Sequence, residues 1–95
     1  SFNNTQVSGG FELYQNTPNP FASTTTIGFY LPEATSGTLT VSDVQGKVVK
    51  VINGDFTKGY NKVDLKRGEL VASGVLYYRL DTKTDSATRK MILVD

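Results

Sequence analysis

From Phe11 onward, short runs of alternating apolar and polar residues are separated by Gly, Pro, Asn and Asp at the spacing of an all-β sandwich. Alternation at period two sends successive side chains to opposite faces of a sheet, so each run reads as a half-buried strand. A short first strand is expected near Phe11–Gln15. The run TTTIGFYL, residues 24–31, then puts Thr25, Ile27, Phe29 and Leu31 on one face and Thr24, Thr26, Gly28 and Tyr30 on the other. Pro32 ends it, EATSG reads as a connection, and TLTVSDV turns Leu39 and Val41 inward. Asp43-Val44-Gln45-Gly46 is a turn, because Asp can accept a bond from the backbone two residues on and Gly can take positive φ. KVVKVIN returns as its hairpin partner, Asn53-Gly54-Asp55 marks the next turn, and TKGYNKVDL forms a fifth strand with Val63 and Leu65 alternating.

KRGELVASG is ambiguous: Glu69–Ala72 could make one helical turn, but two bounding glycines favour a structured loop that buries Leu70. VLYYRLD and ATRKMILV, joined by a polar loop around Lys83–Ser86, form a C-terminal hairpin in which Leu76, Tyr78 and Leu80 share a face. About seven short strands result, predicting an immunoglobulin-like antiparallel β-sandwich, all-β in class. Helical periodicity is nowhere sustained.

One segment breaks the pattern. Thr17-Pro18-Asn19-Pro20 cannot be the middle of a strand or helix, since proline lacks the ladder N–H and holds its predecessor extended. It is a stiff bend, followed by a single large apolar residue, Phe21. Asn16 and Asn19 can bond nearby backbone, and the bend is expected to cross between sheets with Phe21 pinned in the core.

The first ten residues, SFNNTQVSGG, are polar and aperiodic, and read as a flexible linker to an upstream cargo, leaving residues 11–95 as the domain. With no initiator Met, Ser1 reads as a cut end, and the lead-in from Ser1 to Gly10 is expected to be the protease-accessible segment, leaving an intact core that starts near Phe11. The chain has 95 residues and suits one core, without a deep cleft. No run approaches the ~20 apolar residues of a membrane span, so direct membrane insertion is not expected. Ten Lys plus Arg against nine Asp plus Glu give a net charge of +1, which lacks the basic footprint of a nucleic-acid binder.

Cysteine and histidine are both absent, removing the commonest nucleophile–base pairs, thiolate metal sites and disulfides. The carboxylates show no paired spacing, so no enzyme and no cofactor is expected. Asp43, Gln45 and Asp55 sit at turn ends and could offer oxygens to Ca²⁺, but turn chemistry explains them more simply. Tyr30, Tyr60 and Tyr77 fall on outward faces, where rings can stack on sugars or proteins; tyrosines also occur on ordinary sheet surfaces.

Four stretches in order carry a resemblance: LYQNTPNPFASTTTIGFYLP, LTVSDVQGKVV, LVASGVLYYRL and the terminal RKMILV. Together they resemble the type A C-terminal sorting domain of the type IX secretion system of Bacteroidetes, over nearly the whole chain from Phe11. The resemblance implies an Ig-like domain that, once its cargo has entered the periplasm, is recognised by the outer-membrane translocon and delivers the cargo to the cell surface or medium. In many members a cell-surface peptidase then removes the domain, often attaching the cargo to an anionic lipopolysaccharide.

Carried over, the first motif falls on Gln15, Asn16, Pro18, Asn19, Pro20 and Phe21, and the Asp-x-x-Gly turn on Asp43 and Gly46. The Gly-x-Tyr strand falls on Gly74 to Leu80, with Tyr77 and Tyr78 inside it; the terminal basic-apolar strand falls on Lys90, Met91, Ile92, Leu93 and Val94, and Arg89 with Lys90 supplies the positive charge there. Two positions depart from the family pattern: Leu76 stands where Tyr is usual, and Asp95 where Lys or Arg often closes the chain. A related Ig-like module of flagellar hook-capping proteins has a similar proline motif, and the terminal hairpin separates the two.

The leading expectation is therefore a secretion signal read by protein partners, and the alternative a carbohydrate-binding or adhesive sandwich module that stacks glycans on outward tyrosines. A sorting domain must be the last domain of its protein, whereas a binding module can sit anywhere. The unbroken apolar run Met91–Val94 implies burial on both faces or a face kept for a partner, and a free strand edge there would suit strand addition.

Overall fold

The computed structural model describes residues 10–70 and 72–94. The expected linker therefore lies, apart from Gly10, outside the described residues, as does Asp95. Seven strands form: β1 (Glu12–Leu13), β2 (Thr24–Leu31), β3 (Thr35–Asp43), β4 (Val48–Phe56), β5 (Gly59–Lys66), β6 (Gly74–Thr82) and β7 (Ser86–Leu93). They make two antiparallel sheets, ordered β1-β2-β5 and β4-β3-β6-β7. This is the expected β-sandwich. Its fourth strand lies beside β3, rather than completing the β1-β2-β5 sheet as in constant-type immunoglobulin domains.

Alternation decides which residues meet between the sheets. Ile27, Phe29 and Leu31 of β2, Leu39 and Val41 of β3, Leu65 of β5, and Leu76, Tyr78 and Leu80 of β6 are all essentially inaccessible to solvent. Each such side chain contributes about 1.5–3 kcal/mol of transfer free energy. The ambiguous segment after β5 resolves into one 3-10 turn, Arg67–Glu69, earlier than the helical option expected, and Leu70 behind it is buried.

Two turn readings need correction, and the same ring explains both. Asn53-Gly54-Asp55 is not a turn but part of β4, and Thr35-Ser36-Gly37 is not a connection but the start of β3; the strands pair through this stretch with Gly37 opposite Gly54. A Cβ on Gly54 would lie 3.0 Å from the Phe56 ring, and one on Gly37 3.3 Å from it. The paired glycines make room for that ring, which packs edge-on against Phe29 at a centroid distance of 5.0 Å. The β4–β5 turn falls instead at Thr57-Lys58, where Asn61 closes it through bonds with the Thr57 N–H and carbonyl.

The proline bend crosses between the sheets as expected. Thr17 bridges Thr26 of β2 in the three-stranded sheet, whereas Phe21 bridges Leu93 of β7 in the four-stranded sheet, in parallel sense. Phe21 itself is 1% exposed. Both Thr17-Pro18 and Asn19-Pro20 are cis.

Candidate recognition surface

Pairing register gathers the four sequence motifs at one end of the four-stranded sheet. Asp43 at the end of β3 lies opposite Leu76, Leu76 opposite Met91, and Gly74 opposite Leu93, while Phe21 lies beside Leu93 on the outer side. The Asp43 carboxylate closes the β3–β4 turn by accepting bonds from the Gln45 and Lys47 N–H groups, both 2.9 Å. Gly46 (φ 86°) and Gly74 (φ 88°) take left-handed backbone that glycine adopts without strain.

The bend is fastened to this end by side chains that alternate inward and sideways. Asn16, 3% exposed, donates through Nδ2 to the Pro18 carbonyl and to Thr25 Oγ1, while Thr25 Oγ1 donates to the same carbonyl. The Tyr78 hydroxyl reaches across from β6, accepting from the Asn16 N–H at 2.9 Å and donating to the Tyr14 carbonyl at 2.6 Å. Burial raises the Tyr78 pKa, and the bond from Asn16 opposes that rise. A buried tyrosine hydroxyl needs such partners, so the inward position of Tyr78 in the alternation was the signal that one existed. Which groups would supply it was not legible.

Along the outer edge of β7, even-numbered residues point their N–H and C=O groups away from β6. The bend occupies those nearest the C-terminal end. The Ile92 N–H donates to Asn19 Oδ1 at 2.9 Å, and the Ile92 carbonyl accepts from the Phe21 N–H at 3.0 Å. The Val94 N–H donates to the Phe21 carbonyl at 2.9 Å, and Gln15 Nε2 donates to the Lys90 carbonyl at 2.7 Å. Arg67 donates to the Val94 carbonyl. From the Lys90 carbonyl onward this strand therefore has no free edge, contrary to the strand-addition reading for residues 91–94: the proline motif already fills that place.

The named recognition residues divide by the same alternation. Met91 and Leu93 point inward and are 0% and 1% exposed, as is the Tyr78 ring at 0%, so these three serve the core. Ile92 is half-buried on the outer side, and Tyr77, Arg89, Lys90 and Val94 are exposed. Among the bend residues, Gln15, Pro18, Asn19 and Pro20 are exposed beside them. Arg89 also donates from Nε to the Leu13 carbonyl, tying β7 to β1.

The other candidate chemistry does not assemble. Asp43 and Gln45 lie at the β3–β4 turn, while Asp55 pairs with Ser36 at the far end of the same hairpin. Among the described residues no three acidic, His or Cys side chains group as metal ligands. Tyr30 and Tyr60 are cross-strand partners on the outer face of the three-stranded sheet, but Tyr77 is on the other sheet. Sequence reasoning missed Tyr14, whose ring lies 6.3 Å from that of Tyr60, and whose pKa is raised by burial and by nearby Glu12.

No curated protein matches the chain, and no solved structure does. The family model described as "Secretion system C-terminal sorting domain" matches residues 16–94, spanning the bend, the Asp43 turn and the terminal hairpin that the fold brings together. The chain belongs to the type IX secretion C-terminal sorting domains.

Proposed function

We propose that this domain is a non-catalytic address label: joined to a cargo, it is recognised by the outer-membrane type IX translocon, carries the cargo to the surface or medium, and is then removed by a surface peptidase. The observation that carries the reading is the coincidence of the family match over 16–94 with an interlocked end, in which the proline motif and terminal strand are one structural unit. A type IX sorting domain implies interaction with secretion machinery and export of an attached protein. The side chains available to a partner there are Tyr77, Lys90, Ile92 and Val94, flanked by Asn19 and Pro20.

The test is a reporter with a periplasmic export signal, fused to this chain and expressed in a host with type IX secretion. Truncating at Met91 would remove two core side chains and unfold the sandwich. The informative variant is instead Lys90→Ala with Val94→Ser, which touches only exposed positions. Surface delivery of the parent fusion and periplasmic retention of the folded variant is the expected result. A parent fusion that never leaves the periplasm would overturn the sorting reading.

A second reading, glycan stacking, is supported only by the Tyr14, Tyr30 and Tyr60 cluster on the three-stranded sheet. Titration with surface polysaccharide, following tyrosine fluorescence, tests it.

A further inference from the structure

The bend guards only the last part of the β7 edge. Upstream of Gln15's bond to the Lys90 carbonyl, the outward groups include the N–H of Lys90 and the N–H and carbonyl of Thr88, and among the described residues nothing pairs with these. Opposite them is the outer side of β1, whose other side is taken by β2. Between the two edges lies an open cleft of about 480 Å³ whose lining includes Phe11, Glu12, Leu13, Ser86, Thr88 and Arg89. The bend laces the two sheets together at one end, and here the gap between their backbones is spanned by the Arg89 side chain, bonded to the Leu13 carbonyl.

Unpaired donors and acceptors repeating every second residue on a strand edge are the chemistry that another extended chain satisfies. The same edge already accepts one such partner, since Phe21 pairs with it in parallel just downstream. Two cations border the open stretch. Among the described residues Arg89 bonds to the Leu13 carbonyl, and Lys90 has no carboxylate partner there. The Glu12 carboxylate also lines the cleft, so the charge there is mixed, and it is the unpaired backbone groups that an extended segment would meet.

We infer that the Thr88–Lys90 edge and the cleft against β1 form a strand-addition site for an extended segment of the secretion machinery. The inference rests on the sorting reading and refines it: the partner adds beside the exposed Thr88 and not over Met91–Val94, where the bend is in the way. The rival explanation is that Thr88, Arg89 and Lys90 are polar simply to keep an edge from aggregating.

Proline separates the two. Because the Thr88 N–H points outward, Thr88→Pro removes no bond to β6 and is tolerated on an edge strand, yet it deletes a donor and blocks a second chain. In the reporter fusion, Thr88→Pro should reduce surface delivery at least tenfold below that of Thr88→Ala, which loses the same side chain but keeps the outward N–H. Lys90→Pro, compared with Lys90→Ala so that loss of the outward N–H is read apart from loss of the side chain, is the second variant should the first not fold. Normal delivery of either folded proline variant overturns the inference while leaving the sorting function intact; failure of the parent fusion overturns both.

Hydrogen exchange on the unaltered chain gives a check independent of any variant. The Thr88 and Lys90 amides should exchange at least tenfold faster than those of Ala87 and Arg89, which pair with β6. Equal protection of all four would mean the edge is already occupied, and would also overturn the inference.

Discussion

Replacing Tyr78 with Phe isolates the contact that joins the two halves of the candidate surface. The ring is fully buried and stays in place, so no cavity forms and packing is unchanged. What disappears is the hydroxyl, and with it the bonds to the Asn16 N–H and the Tyr14 carbonyl. Asn16 is 3% exposed, so its N–H would be left dry and unpaired, at a cost of about 1–3 kcal/mol. Tyr14 is only half-buried, and its carbonyl recovers part of its loss from water. The sum is about 2–3 kcal/mol, a large share of the 5–15 kcal/mol or so that a domain of this size has available. Urea denaturation followed by tyrosine fluorescence or circular dichroism would measure it, with an unchanged m-value if only stability alters. A loss under about 0.5 kcal/mol would refute the reasoning, because the bend would then be held without the hydroxyl. Hydrogen exchange at Asn16 and Phe21 should also quicken in the variant, whether or not global stability follows.

The same residue gives a pH dependence: burial raises its folded pKa, so its contribution is fully present below the ordinary tyrosine value of about 10 and is lost as pH rises through the folded value. The gap in stability between the parent and Tyr78→Phe should therefore narrow above about pH 10, and a constant gap across that range would count against the assignment. Phe21→Ala should cost about 3–5 kcal/mol in chemical denaturation, since the ring is 1% exposed; a change under about 1 kcal/mol would mean that the bend is not anchored by it. Gly54→Ala should destabilise by about 1–3 kcal/mol, because the new Cβ would lie 3.0 Å from a Phe56 ring already confined by Gly37 and Phe29. A thermal midpoint equal to or above that of the parent would show that the ring can move aside.

What could be read directly from the sequence follows from rules that act within a few residues. Period-two alternation is local, so β2, β3, β6 and their inward residues, from Ile27 through Leu80, were legible before any fold was known. So was the Asp43–Gly46 turn, whose carboxylate bonds the backbone two and four residues away. Proline chemistry showed that residues 17–20 must bend, and a large lone apolar residue after them had to go inward.

Tertiary structure decided whatever depended on residues far apart in the chain. Gly37 and Gly54 look like turn residues locally, and only the register that sets them opposite each other under the Phe56 ring makes them strand residues. The apolar run Met91–Val94 suggested a free edge, yet the edge is filled from more than 70 residues away by Asn19, as well as by Phe21. No local pattern encodes that pairing, because the outward backbone groups of β7 are chemically identical along its length. Which of them stay open, at Thr88 and Lys90, is set by where the bend can reach after crossing from one sheet to the other.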